Sequence, residues 1–261
     1  MKKALLVVSF GTSVSRARRE IEAVEQALAA QAPDRTFFRA YTSPTIRRLL
    51  AQRGEQIFDL NSALENLAVQ GYEDVAVAVT HLLYGIEYDK IKEQTAAFSK
   101  RFSCLRLGPP LLADSGSLCA LARCLLQEPL APGEGLVWMG HGTEHFANMV
   151  YPALQTALRL AGGRHADVGT VEGWPSLEDV LTQLQSDGCS RVLLAPLMLV
   201  AGDHAQNDRA GSDPESWKSR LEEAGISVRC RMEGLGALAS VQDLYAAHLQ
   251  KLLQPEEDNG V

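Results

Sequence analysis

Apolar residues along this chain fall into short, nearly unbroken runs separated by stretches of helical period. The runs Ala4–Ser9, Thr36–Tyr41, Val75–Thr80, Cys104–Leu107, Gly135–Met139, Val168–Glu172, Val192–Met198 and Ile226–Arg231 are the predicted strands. They are rich in Val, Leu and Ile and do not alternate strictly with polar residues, which is the pattern of strands covered on both faces of a parallel sheet. Between them, one helical pattern begins near Ser13 and sets Ile21, Val24 and Leu28 on one face. A second begins at Ser62, where Ser-Ala-Leu-Glu reads as a capping box. Others cover Glu144–Leu160, Ser176–Ser186, Pro214–Ala224 and Val241–Leu253. Strand–helix alternation of this kind specifies an α/β fold with helices on both faces of parallel sheets.

The two halves also resemble each other. "LLVVSFGTS" returns as "LVWMGHGTE", and "TSPTIRRLL" returns as "GWPSLEDVL", with Gly11 against Gly142 and Pro44 against Pro175 at one spacing. "VAVAVTHLLYGIEYDKI" returns as "VLLAPLMLVAGDHAQND" at a shorter spacing, with Gly85 against Gly202. An insertion in the first half around Ala51–Glu65 accounts for the change. Three ordered matches predict two similar four-stranded lobes facing a cleft, 1–130 and 131–261, with the C-terminal helix free to pack back on the first. The Pro- and Gly-rich stretch "EPLAPGEG" (128–135) marks the boundary.

A net charge of −7 excludes a partner held by a general positive field, such as nucleic acid or an anionic membrane. No apolar run approaches a membrane span, and the run at Ala4–Val8 is too short for a signal peptide, so a cytoplasmic protein is expected. Five cysteines without a Cys-x-x-Cys pair read as reduced core residues. No Walker-type glycine loop is present, so no nucleotide cofactor is expected.

The chemistry lies where strands end, since open α/β sheets bind ligands at their carboxyl edge. The repeat selects three such positions per lobe: Phe10, Tyr41 and Glu87 in the first, His141, Glu172 and His204 in the second. Two imidazoles and a carboxylate suit a borderline divalent ion and leave coordination positions open. Each residue also has an ordinary reading: His141 as a turn histidine, Glu172 and His204 as residues capping a following helix. Their joint placement at equivalent strand ends favours the metal reading. Of the other histidines, His145 suits a hydrogen-bonding role, His81 lines the cleft, and His165 and His248 read as surface or helix residues. The arginines of "SRARR" (15–19) and Arg47-Arg48 read as solvated faces that could also meet a polyanion.

With "MKKALLVVSFGTS", "QGYEDVAV", "GIEYDKI", "MGHG", "VEGWP", "PLMLVAGDHAQND" and the closing "GLG" at 234–236, the sequence resembles the anaerobic sirohydrochlorin cobaltochelatases over essentially its whole length. That family shares the bilobal class II chelatase fold with ferrochelatase. The resemblance implies Co²⁺ as substrate metal, with Fe²⁺, Ni²⁺ or Zn²⁺ able to replace it, and sirohydrochlorin or precorrin-2 as the tetrapyrrole. His141, Glu172 and His204 map onto the metal ligands; His141, His204 and Glu87 are assigned to catalysis. Phe10, Gly11, Thr12 and Ser13 after the first strand, and Tyr84 and Gly85 after the third, are assigned to the substrate. An iron or nickel chelatase, or a non-catalytic tetrapyrrole or metal carrier, is the alternative. A homo-oligomer is compatible with all of these readings.

Overall fold

The computed structural model describes residues 1–201 and 213–254. It contains two four-stranded parallel sheets of identical topology. In the first lobe the strands are β1 (Lys2–Ser9), β2 (Thr36–Tyr41), β3 (Tyr72–Val79) and β4 (Cys104–Leu107), in spatial order β2-β1-β3-β4. In the second they are β5 (Gly135–Gly140), β6 (Ala166–Thr170), β7 (Arg191–Pro196) and β8 (Ser227–Cys230), in order β6-β5-β7-β8. The helices between them are α1 (Ser15–Gln31), α2 (Pro44–Gln52), α3 (Leu60–Val69), α4 (Ile86–Ala97) and α5 (Ser115–Leu125). They continue with α6 (Val150–Leu160), α7 (Leu177–Ser186), α8 (Trp217–Glu223) and α9 (Ala239–Leu253).

Alternation along the strands explains the layers. Leu5 and Val7 of β1 face inward with Trp138 of β5, in one cluster that also takes Leu28 of α1, Leu154 of α6 and Tyr245 of α9. Leu6 and Val8 face outward onto Leu64 of α3 and Ile91 of α4, while Val137 and Met139 face Val180 of α7 and Trp217 of α8. Both sheets are thus buried on both sides, which is why their strands read as unbroken apolar runs. The inner cluster is shared between the lobes. α9 is covalently part of the second half but lies on the first: the Tyr245 hydroxyl donates to the Thr80 carbonyl at 2.7 Å.

Several local expectations are corrected. The helix expected to start at Ser62 starts at Leu60, and its cap is Asp59, whose carboxylate accepts the Ser62 N–H at 2.8 Å. Glu144–Leu160 is not one helix: a 3₁₀ turn, Phe146–Met149, precedes α6. The insertion in the first half is an additional helix, since α2 and α3 together occupy the β2–β3 connection where α7 alone links β6 and β7. The cysteines are all free; Cys119 is exposed, and of the four half-buried ones Cys124, Cys189 and Cys230 pack against the cores. Among the described residues no helix is long and apolar enough to cross a membrane.

The N-terminal edge of the first sheet is closed by charge. Asp74 of β3 accepts hydrogen bonds from Arg35 at 2.7 and 3.0 Å and from Arg106 at 3.0 Å, with the Asp74 and Arg35 side chains both buried. Burial pushes the Asp74 carboxyl up, but the two guanidinium groups outweigh it and hold it below the ordinary aspartate range. Asp74→Ala leaves Arg35 buried without its counter-ion and is expected to cost about 3 kcal/mol at neutral pH. Because the folded pKa is depressed, the stabilisation is present in full above about pH 4 and lost as acid takes the pH down through the folded value. Urea unfolding of wild type and variant across that range should show the two converging at the acid end.

Candidate metal-binding cleft

His141 directly follows β5, at the edge where crossover connections leave the sheet in opposite directions and a crevice opens. Pairing with the β6 segment continues past both strand ends. The Val171 N–H donates to the Gly140 carbonyl at 3.1 Å and the Glu172 N–H to the His141 carbonyl at 2.7 Å. His141 and Glu172 are therefore lateral neighbours by register. Their side chains are 63% and 69% exposed, with Nε2 3.8 Å from Oε2. Two ligands at about 2.1 Å from one tetrahedral ion would stand about 3.4 Å apart, within a small side-chain rotation of this geometry.

Three features fix the two loops. Gly142 has φ +84°, and a Cβ there would lie 2.6 Å from the Glu172 carbonyl carbon and oxygen. The Gly142 N–H donates to the Tyr151 hydroxyl at 3.3 Å. Asn148 joins the loops: its Oδ1 accepts the Thr143 N–H at 3.1 Å and its Nδ2 donates to the Trp174 carbonyl at 2.6 Å. Neither Tyr151 nor Asn148 stands out in the sequence; an amide side chain in the first turn after a site loop is the signal that could have marked Asn148. Glu172 does not cap α7. That helix is capped by Ser176, which forms a capping box with Asp179.

The first lobe presents a different surface. Gly11, with φ +95°, repeats the Gly142 geometry; its missing Cβ would lie 2.5 Å from the Tyr41 ring. Tyr41 is the repeat counterpart of Glu172 but does not face the cleft. It is fully buried against Ile21 and Leu50, and burial raises its phenol to about 12. Phe10 is exposed. Thr12 is buried, its hydroxyl accepting the Val14 N–H at 3.2 Å, so it shapes the turn instead of offering a side-chain contact. Ser13 is half-buried and its carbonyl accepts from Arg53 at 2.5 Å. Tyr84 is exposed and meets Tyr88 edge-on, ring centroids 5.0 Å apart. Gly85 immediately precedes α4, with open space where a side chain would be. Glu87 stands in the first turn of α4, accepting from Lys90 at 2.7 Å.

The lobes meet beside these residues. Asp89 of α4 lies 3.5 Å from His145 Nε2. His145 Nδ1 accepts the Ala147 N–H at 3.1 Å, so this histidine caps the 3₁₀ turn and ties it to α4. Glu20 of α1, whose carboxyl is raised by burial, accepts the Ala201 N–H at 3.0 Å. The glycines of 234–236 let the chain pass there: a Cβ on Gly236 would lie 2.5 Å from the Glu20 carbonyl oxygen. Most of the arginine run is engaged with carboxylates, Arg18 with Glu22 and Glu55, Arg16 with Glu233, and Arg47 with Asp59. His81 is half-buried at the edge, with both ring nitrogens shielded from solvent. His248, on α9, lies 2.9 Å from the Ser117 hydroxyl, and His165 is on the surface. His204, with Gly202, lies outside the described residues; among the described residues no group of three or more His, Cys, Asp or Glu side chains is assembled to hold an ion.

Known proteins align with the chain from end to end. It is 43% identical over 260 residues to the sirohydrochlorin cobaltochelatase of Salmonella typhimurium, covering 97% of both chains. It is 33% identical over 262 residues to the sirohydrochlorin cobaltochelatase CbiKC of Nitratidesulfovibrio vulgaris, covering 98% of this chain and 93% of that one. Among solved structures, SirB from Bacillus subtilis with Fe³⁺ superposes with a TM-score of 0.68 at 17% identity, covering 97% and 96% of the two chains, which bears on the fold. The family model described as cobalt chelatase (CbiK) matches residues 3–254, and with these relatives it establishes that the chain belongs to the cobalt chelatase family.

Proposed function

We propose that this protein inserts Co²⁺ into sirohydrochlorin, without a nucleotide, in the anaerobic route to cobalamin. The observation that carries the reading is the exposed His141–Glu172 pair at the carboxyl edge of the second sheet. Around it, large apolar side chains stand exposed on the strand-end loops of both lobes: Phe10, Tyr84, Ile86, Phe146, Met149 and Trp174. Isolated exposed apolar residues are ordinary, but a set gathered on one edge marks a binding surface, here one suited to a flat macrocycle. In this reading 1–130 and 131–261 are the lobes that clasp the ring. Phe10, Gly11, Ser13, Tyr84 and Gly85 touch it from the first lobe, and Thr12 sets the shape of their turn.

Insertion needs the ion partly stripped of water and two pyrrolic N–H protons removed. His141, Glu172 and His204 hold the ion, with the carboxylate offsetting part of its charge and the open positions left for pyrrole nitrogens. Glu87 takes a proton on the opposite side of the cleft; the Asp89–His145 contact keeps the first turn of α4 against the second lobe. Each nitrogen lone pair freed by proton loss becomes a bond to the metal, so the neutral ring with two N–H groups and M²⁺ yield a neutral complex and two protons.

Affinity order alone does not select cobalt, since the same donors serve Fe²⁺, Ni²⁺ and Zn²⁺. Steady-state assays with sirohydrochlorin and Co²⁺, Fe²⁺ or Ni²⁺ in parallel test the reading through the tetrapyrrole absorption. Multiple turnovers with Co²⁺ at the highest kcat/KM are expected. Stoichiometric binding that stops after one equivalent would instead identify a carrier, and preference for another ion a different chelatase.

A further inference from the structure

Beneath the cleft edge of the first lobe, His81 continues the line of β3. The Thr80 N–H donates to the Val8 carbonyl at 3.0 Å and the Leu111 N–H to the His81 carbonyl at 2.9 Å, so the backbone there remains extended and bonded on both sides. Alternation then places the ring on the side of Val77 and Val79, which is covered by Tyr88 and Ile91 of α4. Both ring nitrogens are shut off from solvent, and neither has a hydrogen-bond partner among the described residues. Burial keeps the imidazole neutral, driving its pKa down to about 4, and the charged group whose field opposes this is Glu87. A buried polar ring with both nitrogens unpaired destabilises a fold, and an apolar residue of similar volume would do the packing better.

We propose that His81 is a positioning residue of the insertion reaction, acting through Glu87. This rests on Glu87 being the cleft carboxylate that receives a pyrrolic proton. A neutral imidazole carries one N–H donor and one bare nitrogen, so it can partner Glu87 in both of its states. As a carboxylate, Glu87 accepts the ring N–H. Once it has taken the proton, its O–H donates to the bare nitrogen. The pyrrole N–H bond breaks, the proton passes to a Glu87 oxygen, the nitrogen lone pair binds the metal, and His81 itself keeps its proton count. In the structure Glu87 accepts from the exposed Lys90; in this proposal it exchanges that contact for His81 when the macrocycle fills the cleft.

The test compares kcat, KM and Tm for wild type, His81→Leu, His81→Gln and Glu87→Gln with sirohydrochlorin and Co²⁺. His81→Leu should lower kcat about tenfold, the scale of losing a group that orients another at a metal site. Its KM should stay within about twofold, and its Tm should hold or rise. His81→Gln, which keeps a donor and an acceptor, should recover part of the loss, and His81→Leu should add nothing in the Glu87→Gln background. If the leucine chain does not fold, His81→Met takes its place. Wild-type kcat in His81→Leu overturns the role, as does a loss that follows a fall in Tm and persists undiminished in the Glu87→Gln background. Glu87→Gln with undiminished kcat removes the carboxylate through which His81 acts. A wild-type chain that does not turn over overturns the functional reading itself.

Discussion

Replacing His141 by alanine should reduce Co²⁺ insertion by about 10²–10⁴-fold and leave the folded protein intact. The size follows from what the side chain does: it holds the ion until pyrrole nitrogens replace it and, once its nitrogen is released from the metal, is free to take a pyrrolic proton, and positioned proton transfer alone is worth this much. Stability should change by no more than about 0.5 kcal/mol, because the imidazole is largely exposed and its partner Glu172 is as open to water. Deleting it strands no buried charge and leaves no cavity. Metallation followed by the change in tetrapyrrole absorption, beside a thermal melt of the same sample, reads both quantities. Turnover near the wild-type rate would remove His141 from the metal site, and with it the reason for placing Glu172 there. A large drop in Tm would show the side chain supporting the fold, against the exposure seen.

The strand ends that carry His141 and Glu172 were legible because both sheets are buried on two faces. Each strand is therefore a continuous apolar run, and the first polar residue after it stands at the edge. The internal repeat was legible for a backbone reason: Gly11 and Gly142 both adopt positive φ and both press against the end of the neighbouring strand, at Tyr41 and Glu172. Equivalence of backbone did not extend to side chains. Tyr41 turns inward because Ile21 and Leu50 cover it, a fact of helix packing that a strand pattern does not contain. Asn148, Glu20 and Tyr151 were missed for a related reason. Each acts between segments far apart in sequence, and nothing in its local pattern separates it from an ordinary helix residue. Asp59 was missed as a cap because Ser62, three residues on, offered a better-looking box with Glu65. Thr12 shows the reverse error, a residue in the right loop whose side chain is committed to its own turn.

Gly142→Ala should disable the site from the backbone. At φ +84° an L side chain carries a strain of about 1 kcal/mol. The larger effect is contact: the new methyl would stand 2.6 Å from the carbonyl carbon and oxygen of Glu172 and 2.9 Å from the Gly173 nitrogen. These are main-chain atoms held by the Glu172–His141 hydrogen bond and by the Asn148 clamp, so no flexible side chain can give way. Overpacking of this kind adds about 1–3 kcal/mol, for a total of about 3 kcal/mol. Relief requires the 172–173 peptide to move outward, which separates Glu172 from His141. A misplacement of about 1 Å in a reacting constellation costs on the order of 10²-fold in rate. Gly162→Ala supplies the contrast, since its φ is +97° but nothing lies within 4 Å of the added methyl; it should show the strain cost alone and full activity. Melts and insertion rates of the two variants, each corrected for folded fraction, separate the contributions. If Gly142→Ala retained its rate once corrected, the 3.8 Å approach of His141 and Glu172 could not be a requirement of the chemistry.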